Sequence, residues 1–401
     1  MRPFDGRSVL LIVTGGIAAY KSAYLARRLV EAGAEVDVVL TAGAQRFIGA
    51  VTFEGLTGRP AHRSLWQRPM AHLDLGKDAD LAIVAPATAS FLSRLAAGAA
   101  DDLATAILLA APCPIAVCPA MNQRMWDNPL TVRNLARLRE RGIRRIGPAI
   151  GALAEGESGP GRMAEPDEIM VVAGRLLEKP SPLTGRRIVV TAGPTRAAVD
   201  PIRYLGNRSS GRMGFALAAS AWRRGGDVTV IAGPGAAARP YGPEVVEVTS
   251  TREMGAALRS ALPGAALLAM AAAVADFEPR EVAEQKLKKE TREEWILTLK
   301  RAPDLLLDTA ELRRREGILS LGFALETEAA LENGRRKLEE KQLDFVAINE
   351  AGAADAGFES PTNRVTLVDR WGEVEEIPLL PKEEIADRLL DRVEERLPSE
   401  R

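Results

Sequence analysis

The sequence predicts an α/β protein built from two doubly wound domains, each with a mostly parallel sheet covered by helices. Short apolar runs of strand length alternate with segments of helical periodicity along the 401 residues. The order strand, glycine turn, helix begins near the N-terminus and begins again near Arg186. A chain of this length can form two domains that each bury a full core, since domains usually have roughly 100 to 200 residues.

In the first half, four apolar runs are predicted to be buried strands, and four segments are predicted to be helices. The strands are Ser8–Thr14, Glu35–Thr41, Asp80–Ala85 and Pro114–Cys118, and the helices lie near Ile17–Ala32, Thr88–Ala96, Asp101–Leu109 and Pro129–Arg141. Pro180 and Pro182 remove backbone donors after this pattern. We therefore place a domain boundary there, with one domain over residues 1–180 and the other over residues 185–401.

The second half repeats this order of elements. Its predicted strands are Arg186–Thr191, Asp227–Ala232, Ala265–Ala269, Ile318–Gly322 and Asp344–Ile348, and its predicted helices are Gly211–Arg224, Arg252–Leu262 and Glu326–Lys341. The charge-dense segment Glu281–Lys300 indicates a mobile flap that ends in a short strand at Trp295–Leu299. Arg364–Val368 and Val374–Ile377 are predicted to form a hairpin before a last helix.

The composition is typical of a globular protein in water. The chain is 46% hydrophobic, with 53 Lys+Arg, 54 Asp+Glu and a formal net charge of −1. This charge provides no long-range field that would concentrate nucleic acid or an anionic membrane near the protein. The apolar run Val9–Val13 is too short for a signal peptide, and Ala265–Ala275 is about half of the ~20 residues that a spanning helix needs. We expect a cytoplasmic protein without nucleic-acid or membrane partners.

A glycine turn follows the first strand. In Thr14-Gly15-Gly16-Ile17-Ala18 the strand ends and a helix starts with its N–H donors exposed, so we expect an anion there. The spacing is not Gly-x-Gly-x-x-Gly, and the second strand ends in Leu40-Thr41 without an acidic residue for an adenosine ribose. These features favour a single phosphate, as in FMN, over NAD. A tight turn without a ligand is the alternative.

Small residues follow the third strand. Pro86, Ala87 and Thr88 come at the carboxyl edge of the predicted sheet, where open α/β folds bind ligands. A flat isoalloxazine ring fits such a surface. Close packing of a helix on a strand is the alternative explanation.

The segment after the fourth strand is more specific. It reads Pro119-Ala120-Met121-Asn122-Gln123-Arg124-Met125-Trp126, and with the glycine turn and Ala71-His72-Leu73-Asp74-Leu75 it resembles the flavin-dependent cysteine decarboxylases. This resemblance implies FMN as cofactor, His72 as the active-site base and Asn122 as the residue that holds the substrate carboxylate. A hydrogen-bonded structural histidine is the alternative for His72 alone. The implied cofactor contacts are Gly15, Gly16, Ile17, Ala18, Thr41, Pro86, Ala87, Thr88 and Met121.

Decarboxylation of an N-acylcysteine explains the need for a flavin. Loss of CO2 leaves a carbanion without an electron sink, whereas oxidation of CH2–SH to a thioaldehyde creates an acceptor, and FMN is the two-electron partner. In the family, a cysteine in a later loop donates a proton in the final reduction, but this chain has Glu155 at that position. Three alternatives stay open: Glu155 donates with a pKa raised by desolvation, Cys118 substitutes, or the last half-reaction is impaired.

An arginine-rich loop precedes the first long helix of the second half. Thr191-Ala192-Gly193-Pro194-Thr195-Arg196 leads to a segment with Arg203, Arg208 and Arg212, which can bind phosphates through amides and guanidinium groups. Solvated surface arginines are the alternative. This stretch resembles the phosphopantothenate-cysteine ligases, with Gly-Arg-Met where many members have Gly-Lys-Met. The resemblance continues in Ala271–Phe277, Lys286–Lys289, Ala302–Asp304 and Gly322–Thr327.

The ligase resemblance implies CTP as co-substrate and Mg2+, with Asp276 as the metal ligand. It assigns Asn207 to turnover of an acyl-cytidylate and Arg203 to substrate contact. A solvated helix face is the alternative for Lys337 or Lys341 alone. The implied nucleotide contacts are Met270, Ala271, Ala272, Asp276, Lys286, Ala302, Pro303, Asp304, Leu305, Phe323, Lys337 and Lys341.

Both resemblances together identify the chain as a member of the bifunctional phosphopantothenoylcysteine decarboxylase/phosphopantothenate-cysteine ligases of coenzyme A biosynthesis. They imply two Rossmann-like domains, an N-terminal flavodoxin-like flavoprotein domain and a C-terminal ligase domain. The implied substrates are 4′-phosphopantothenate, cysteine and CTP, and the product is 4′-phosphopantetheine. They also imply a homo-oligomer, with decarboxylase trimers that build a dodecamer and with ligase dimers.

Two other functions compete with this one. A nicotinamide oxidoreductase of two Rossmann units would need the Gly-x-Gly-x-x-Gly motif and the acidic residue that the chain lacks. An FMN-binding scaffold without catalysis is suggested by Glu155, whereas the presence of His72 and Asn122 argues against it.

Overall fold

The structure is a computed structural model that describes residues 3–67, 69–152, 158–235, 237–287, 295–326, 329–350 and 360–397. The chain divides into two compact units, Met1–Lys179 and Pro180–Arg401. Both units are α/β folds with parallel sheets, which confirms the predicted fold class. Within the described ranges, no helix is long and apolar enough to cross a membrane.

The first unit contains seven strands and eight α-helices among its described residues. The strands are β1 Ser8–Val13, β2 Glu35–Leu40, β3 Leu81–Ala87, β4 Ile115–Pro119, β5 Arg144–Arg145, β6 Ala149–Ala152 and β7 Ser158–Arg162. The helices are α1 Ala19–Glu31, α2 Ala50–Thr57, α3 Ala71–Asp78, α4 Ala89–Ala97, α5 Leu103–Ala110, α6 Gln123–Trp126, α7 Pro129–Glu140 and α8 Pro166–Leu177, with a 3-10 helix at Ala44–Arg46.

The sheet of the first unit has the order β2-β1-β3-β4-β5, with every neighbouring pair parallel. This is the strand order of flavodoxin-like folds. All seven residues of β3 are buried, as a central strand covered by helices on both faces requires. The strands β6 and β7 form a separate antiparallel hairpin. The hairpin, the strand β5 and the helices α2, α3, α6 and α8 were not predicted.

The second unit contains twelve strands and five helices in the part that the structure describes. The strands are β8 Arg187–Ala192, β9 Arg196–Ala198, β10 Tyr204–Gly206, β11 Asp227–Ala232, β12 Glu244–Glu247, β13 Ala265–Met270, β14 Phe277–Pro279, β15 Leu299–Arg301, β16 Leu319–Glu326, β17 Phe345–Glu350, β18 Thr362–Asp369 and β19 Val374–Pro381. The helices are α9 Arg212–Arg223, α10 Thr251–Ala261, α11 Leu305–Glu316, α12 Ala330–Glu340 and α13 Lys382–Glu394.

Eight of these strands form one sheet in the order β12-β11-β8-β13-β16-β17-β18-β19. The strands from β12 to β17 are parallel, in the order of the Rossmann fold, and β18 and β19 extend the sheet as the predicted antiparallel hairpin. From β8 the chain runs first to β11 on one side and later to β13 on the other. The switch point at which such folds bind ligands therefore lies at the end of β8.

Two predicted boundaries in the second unit were wrong. The helix predicted from Glu326 begins at Ala330, because β16 continues through Glu326 in register with β17. The strand predicted at Trp295–Leu299 is Leu299–Arg301, where it pairs with β14. Residues 288–294 of the predicted flap lie outside the described residues.

A buried ion cluster joins α9 to α13. The Arg224 side chain is 4% exposed, and its guanidinium lies 3.5 Å from Asp387, 2.8 Å from Asp391 and 3.1 Å from Glu394. Burial lowers the pKa of Arg224, but the three carboxylates outweigh this effect and raise it. The ion cluster holds α13 in place, and the apolar residues of α13, such as Leu389, cover the sheet.

We expect Arg224→Ala to lower the free energy of unfolding of the second unit by about 3 kcal/mol or more, because it removes a buried cation that pairs with three carboxylates at once. Urea unfolding followed by tryptophan fluorescence measures the loss. Arg388→Ala, on α13, is the matched control: it removes an exposed pair with Glu375 and should cost less than about 1 kcal/mol. Equal losses in the two variants would contradict a special role for the cluster.

Candidate functional site

The ends of β1, β3 and β4 meet at one edge of the first sheet. Thr14 is buried directly after β1, and its hydroxyl donates to the Pro86 carbonyl at 2.7 Å. The same hydroxyl accepts from the Thr88 N–H at 3.2 Å. The N–H of Ala120, after β4, donates to the Ala87 carbonyl at 3.1 Å. The glycine turn, the small-residue segment and the Met121 segment are thus neighbours at the edge where parallel sheets bind ligands.

The glycine turn brings two loops into close approach at the start of α1. A Cβ on Gly15 would lie 2.7 Å from the backbone carbon of Gly43, so this position requires glycine. Thr41 holds the second loop, because its hydroxyl accepts from the Ala44 N–H at 3.3 Å. No side chain caps the first turn of α1. An anion therefore complements the N–H groups of this helix start.

Two of the three predicted catalytic residues of the first unit lie at helix starts. His72 is partly buried in the first turn of α3, and its imidazole makes no hydrogen bond to any residue within the described ranges. Asn122 precedes α6, and its Oδ1 accepts from the Arg124 N–H at 2.7 Å. The N–H of Met121 donates to the Gly161 carbonyl at 3.0 Å, so β7 fixes this segment. The structure does not join His72 to Asn122 by a direct hydrogen bond.

Lys21 was missed by sequence reasoning. It is buried, and its Nζ donates to the Met163 carbonyl at 3.1 Å and pairs with Glu165 at 2.6 Å. It thereby ties the first turn of α1 to the residues after β7. Its position four residues before Leu25, on the buried stripe of α1, is the sequence feature that indicates its burial, whereas its partners are not visible in the local sequence. Glu155, between β6 and β7, lies outside the described residues.

Cys118 is fully buried within β4. Burial, together with the charge of Glu168, raises the pKa of its thiol. A buried thiol with a raised pKa is a weak acid, and this disfavours Cys118 as a substitute proton donor.

In the second unit, four of the predicted nucleotide contacts lie at the end of β13 or in β16, namely Met270, Ala271, Ala272 and Phe323. Met270 ends β13 opposite Gly322, which precedes Phe323 in β16. The N–H of Ala272 donates to the Thr191 hydroxyl at 3.1 Å. This bond ties the loop after β13 to the end of β8.

Lys337 and Lys341, in α12 and at its C-terminal end, both have partners. The Nζ of Lys337 donates to the Phe323 carbonyl at 2.6 Å, and Lys341 forms an ion pair with Asp304 at the start of α11. Desolvation raises the pKa of Asp304, but hydrogen bonds from Lys341 and the Leu307 N–H outweigh it and hold the pKa below its usual value. A phosphate that bound to these lysines would have to replace their present partners.

Asp276 is exposed after the loop that follows β13. Its carbonyl accepts from the Ala302 N–H at 2.9 Å, and its carboxylate makes no hydrogen bond or ion pair with a described residue. Pro303 follows Ala302, whereas the side chain of Leu305 belongs to the apolar core. The described residues include no group of three or more His, Cys, Asp or Glu that could hold a metal. One carboxylate suits a Mg2+ whose other ligands are phosphate and water.

Asp200 was also missed, and it organises the loop that bears Arg203. Its carboxylate accepts from the N–H groups of Ile202 at 2.8 Å, Arg203 at 2.7 Å and Leu287 at 3.3 Å. Desolvation raises the pKa of Asp200, but these donors outweigh it and lower the pKa. Arg203 also donates to the Leu287 carbonyl at 3.1 Å. Lys286 is exposed on the attached segment, and the structure does not bring it to the cluster of Lys341 by any described contact.

We expect Asp200→Asn to release the segment that ends at Leu287, because an amide cannot pair with Arg203 and does not accept three N–H donors as a carboxylate does. Trypsin cleavage after Lys286 should become about tenfold faster at pH 7, where the wild-type carboxylate is ionised. Timed proteolysis with mass spectrometry measures this rate. Asp227→Asn, at an exposed position of β11, is the control. If both variants are cut at the wild-type rate, Asp200 does not hold this segment.

Two family models match the chain. The Flavoprotein family matches residues 2–177, and the DNA/pantothenate metabolism flavoprotein C-terminal domain matches residues 183–397. Among curated relatives, the coenzyme A biosynthesis bifunctional protein CoaBC of Vibrio vulnificus is 41% identical over 399 residues, 98% of this chain and 99% of the relative. The protein of the same name from Mycobacterium tuberculosis is 42% identical over 402 residues, 96% of each chain. That of Bacillus subtilis is 40% identical over 396 residues, 97% of each chain.

Solved structures match each half of the chain separately. The C-terminal domain of a coenzyme A biosynthesis bifunctional protein CoaBC is 33% identical, with a TM-score of 0.46, and covers 54% of this chain and 97% of that one. A PPC decarboxylase mutant complexed with pantothenoylaminoethenethiol is 34% identical, with a TM-score of 0.39, and covers 42% of this chain and 96% of that one.

Proposed function

The chain belongs to the family of bifunctional coenzyme A biosynthesis proteins, and from this premise we propose how its two units divide the work. The family has two activities, phosphopantothenoylcysteine decarboxylase and phosphopantothenate-cysteine ligase. We assign the decarboxylase, with FMN, to residues 1–180 and the CTP-dependent ligase to residues 185–401. The observation that carries this assignment is the meeting of the predicted ligand segments at the strand ends of each unit.

In the first unit, the Gly15-Gly16 turn and the start of α1 suit the phosphate of FMN, because both glycines are partly exposed and no described side chain caps the helix. FMN, when bound, supplies a reversible two-electron acceptor. His72 accepts a proton from the substrate. Asn122 directs its Oδ1 to α6, and its Nδ2 is the donor that a substrate carboxylate requires.

Glu155 takes the place of the family's cysteine proton donor in this proposal. A carboxyl group donates a proton near neutral pH when desolvation raises its pKa. The burial of Cys118 favours Glu155 over Cys118 as the proton donor. An impaired final half-reaction is the competing possibility.

The second unit must activate the carboxylate of 4′-phosphopantothenate, because an amine cannot displace oxide from a carboxylate. The carboxylate therefore attacks CTP and releases pyrophosphate, and the cysteine amine then displaces CMP from the acyl-cytidylate. Asn207 and Arg203 contact the acyl group, and Lys337 and Lys341 contact the phosphates. Asp276 would hold Mg2+, which offsets the charge of the triphosphate.

A homo-oligomer, with trimers that build a dodecamer and with ligase dimers, and a cytoplasmic location stay predictions. Large apolar side chains exposed on the first unit support self-association. They include Ile17, Val51 and Trp66.

The function is tested on purified full-length protein with 4′-phosphopantothenate, cysteine, CTP and Mg2+, with a visible spectrum and mass analysis of products. We expect flavin absorbance, CO2 release and 4′-phosphopantetheine. Accumulation of the oxidised decarboxylated compound would show that neither Glu155 nor a substitute completes the reduction. Accumulation of 4′-phosphopantothenoylcysteine would confine activity to the ligase. Absence of any CTP-dependent product would overturn the proposal for the second unit.

We expect His72→Gln to slow CO2 release by about 10²- to 10⁴-fold, because the general base is lost, while 4′-phosphopantothenoylcysteine accumulates. The visible spectrum should show that flavin stays bound. His62→Gln is the matched control, since His62 lies 4.0 Å from Asp37 and is outside the proposed site. Unchanged CO2 release in His72→Gln would remove His72 from the mechanism.

A further inference from the structure

Arg313, in the last turn of α11, is a buried cation that none of the proposed reaction steps uses. Its residue is 3% exposed. Burial lowers the pKa of Arg313, and the nearby charge of Asp344 offsets only part of this effect. A guanidinium nevertheless stays ionised in proteins, so a charge that has lost its water must be stabilised by hydrogen bonds.

The guanidinium of Arg313 makes four hydrogen bonds. Nη1 donates to the Gln342 carbonyl and to the Ser320 hydroxyl, both at 2.8 Å. Nη2 donates to the carbonyls of Leu306 and Lys341, both at 3.0 Å. Nε has no partner among the described residues. Because three of the four acceptors are backbone carbonyls, Arg313 fixes the course of the main chain rather than one side chain.

The bonded carbonyls belong to the two helix ends that carry the Asp304–Lys341 ion pair. Leu306 lies in the first turn of α11, two residues after Asp304, which caps this helix. Lys341 is the residue at which α12 ends. One guanidinium therefore holds the start of α11 and the end of α12 together, and it sets the position of Lys341 relative to Asp304.

The turn after Lys341 has a backbone conformation that needs support. Gln342 has a φ of 51°, in the left-handed region that residues other than glycine rarely adopt. The N–H of Leu343 donates to the Leu338 carbonyl at 2.9 Å, as in turns that close helix C-termini. The bond from Arg313 to the Gln342 carbonyl stabilises this conformation. Without it, we expect the turn to relax and Lys341 to move.

Two buried residues orient Arg313 from the sheet. Ser320, in β16, donates its hydroxyl to the Asp344 carboxylate at 2.8 Å, and the Ser320 N–H donates to the same carboxylate at 2.8 Å. The hydroxyl of Ser320 is thereby fixed as an acceptor for Arg313. The guanidinium is thus preorganised by the strand that it contacts.

We propose that Arg313 is a positioning residue of the ligase, which holds the end of α12 so that the Nζ of Lys341 contacts the triphosphate of CTP. The inference rests on the proposed function of the second unit. Arg313 touches no substrate in this proposal, because four of its five N–H donors are bonded to protein. It acts through Lys341, and a displacement of about 1 Å in such a contact can cost about 100-fold in rate.

The test measures steady-state ligation by full-length protein, with each substrate varied in turn. Arg313→Lys keeps the positive charge but lacks the planar fork that reaches two helix ends. It should raise KM for CTP about tenfold, because a charge-assisted contact of Lys341 is weakened. KM for 4′-phosphopantothenate and KM for cysteine should change less than about twofold, since Lys341 contacts neither molecule in the proposed mechanism.

A double-mutant cycle separates positioning from a general effect. Lys341→Gln alone should raise KM for CTP about tenfold. In the Lys341→Gln background, Arg313→Lys should add less than about twofold, because its effect passes through the side chain already removed. If the two changes multiply to about 100-fold instead, Arg313 does not act through Lys341 and the inference is wrong.

Arg224→Lys is the matched control, since Arg224 is also a buried arginine of the second unit but bonds to α13. It should lower the free energy of unfolding in urea and leave KM for CTP unchanged. An equal rise in KM for CTP in Arg224→Lys and Arg313→Lys would mean that loosening of the unit explains both, and would overturn the inference.

Ser320→Ala keeps the test decisive if Arg313→Lys does not fold. It removes one acceptor of Arg313 and keeps the three carbonyl bonds, so KM for CTP should rise about threefold, and again not in the Lys341→Gln background. An unchanged KM for CTP in the variants that fold would refute the role of Arg313 while the ligase function stands. A wild-type protein that forms no CTP-dependent product would overturn the proposed function, and the inference with it.

Discussion

Close backbone approach at the ends of parallel strands is the constraint on which both units depend. In the first unit, a side chain at Gly15 would collide with the backbone of Gly43. In the second, a Cβ on Gly214 would lie 2.7 Å from the Thr191 carbonyl, so α9 packs directly on β8. Only glycine permits such contacts. They bring helix starts and turns, with their N–H donors, to the sheet edge, which is the arrangement that anion-binding sites of such folds use.

Much of this architecture follows from local sequence because central parallel strands are buried on both faces. The continuous apolar run of β3 needs no knowledge of its neighbours to be recognised. The three-residue strands β9 and β14 are different, since their pairing partners, not their composition, make them strands. The same reason explains the late end of β16, whose pairing with β17 continues through a residue of high helix propensity, Glu326.

The site residues divide in the same way. Sequence motifs predict Asn122, Lys337 and Lys341 as site residues, because their residue types and spacing can be read from the sequence. Lys21 and Asp200 act through partners that are far away in sequence, Glu165 at a separation of 144 residues and Leu287 at 87. A single sequence contains no local sign of such pairs. The fold must be formed before these residues have a role.

The net charge of the chain does not show how its cationic side chains are distributed and paired. Its cations are distributed in small groups, and some are already paired, as Lys341 is with Asp304 and Arg239 is with Glu247. These pairs reduce the repulsion between neighbouring cations in the unliganded protein. A phosphate that bound to the same cations would have to displace a carboxylate, and this lowers the net free energy gained on binding. Exchange of one anion for another is nearly balanced, so ligands can be held by several arginines or lysines and still be released after turnover. Pairs such as Lys341 with Asp304 and Arg239 with Glu247 thus place cations near the strand ends of the second unit without a permanent excess of positive charge.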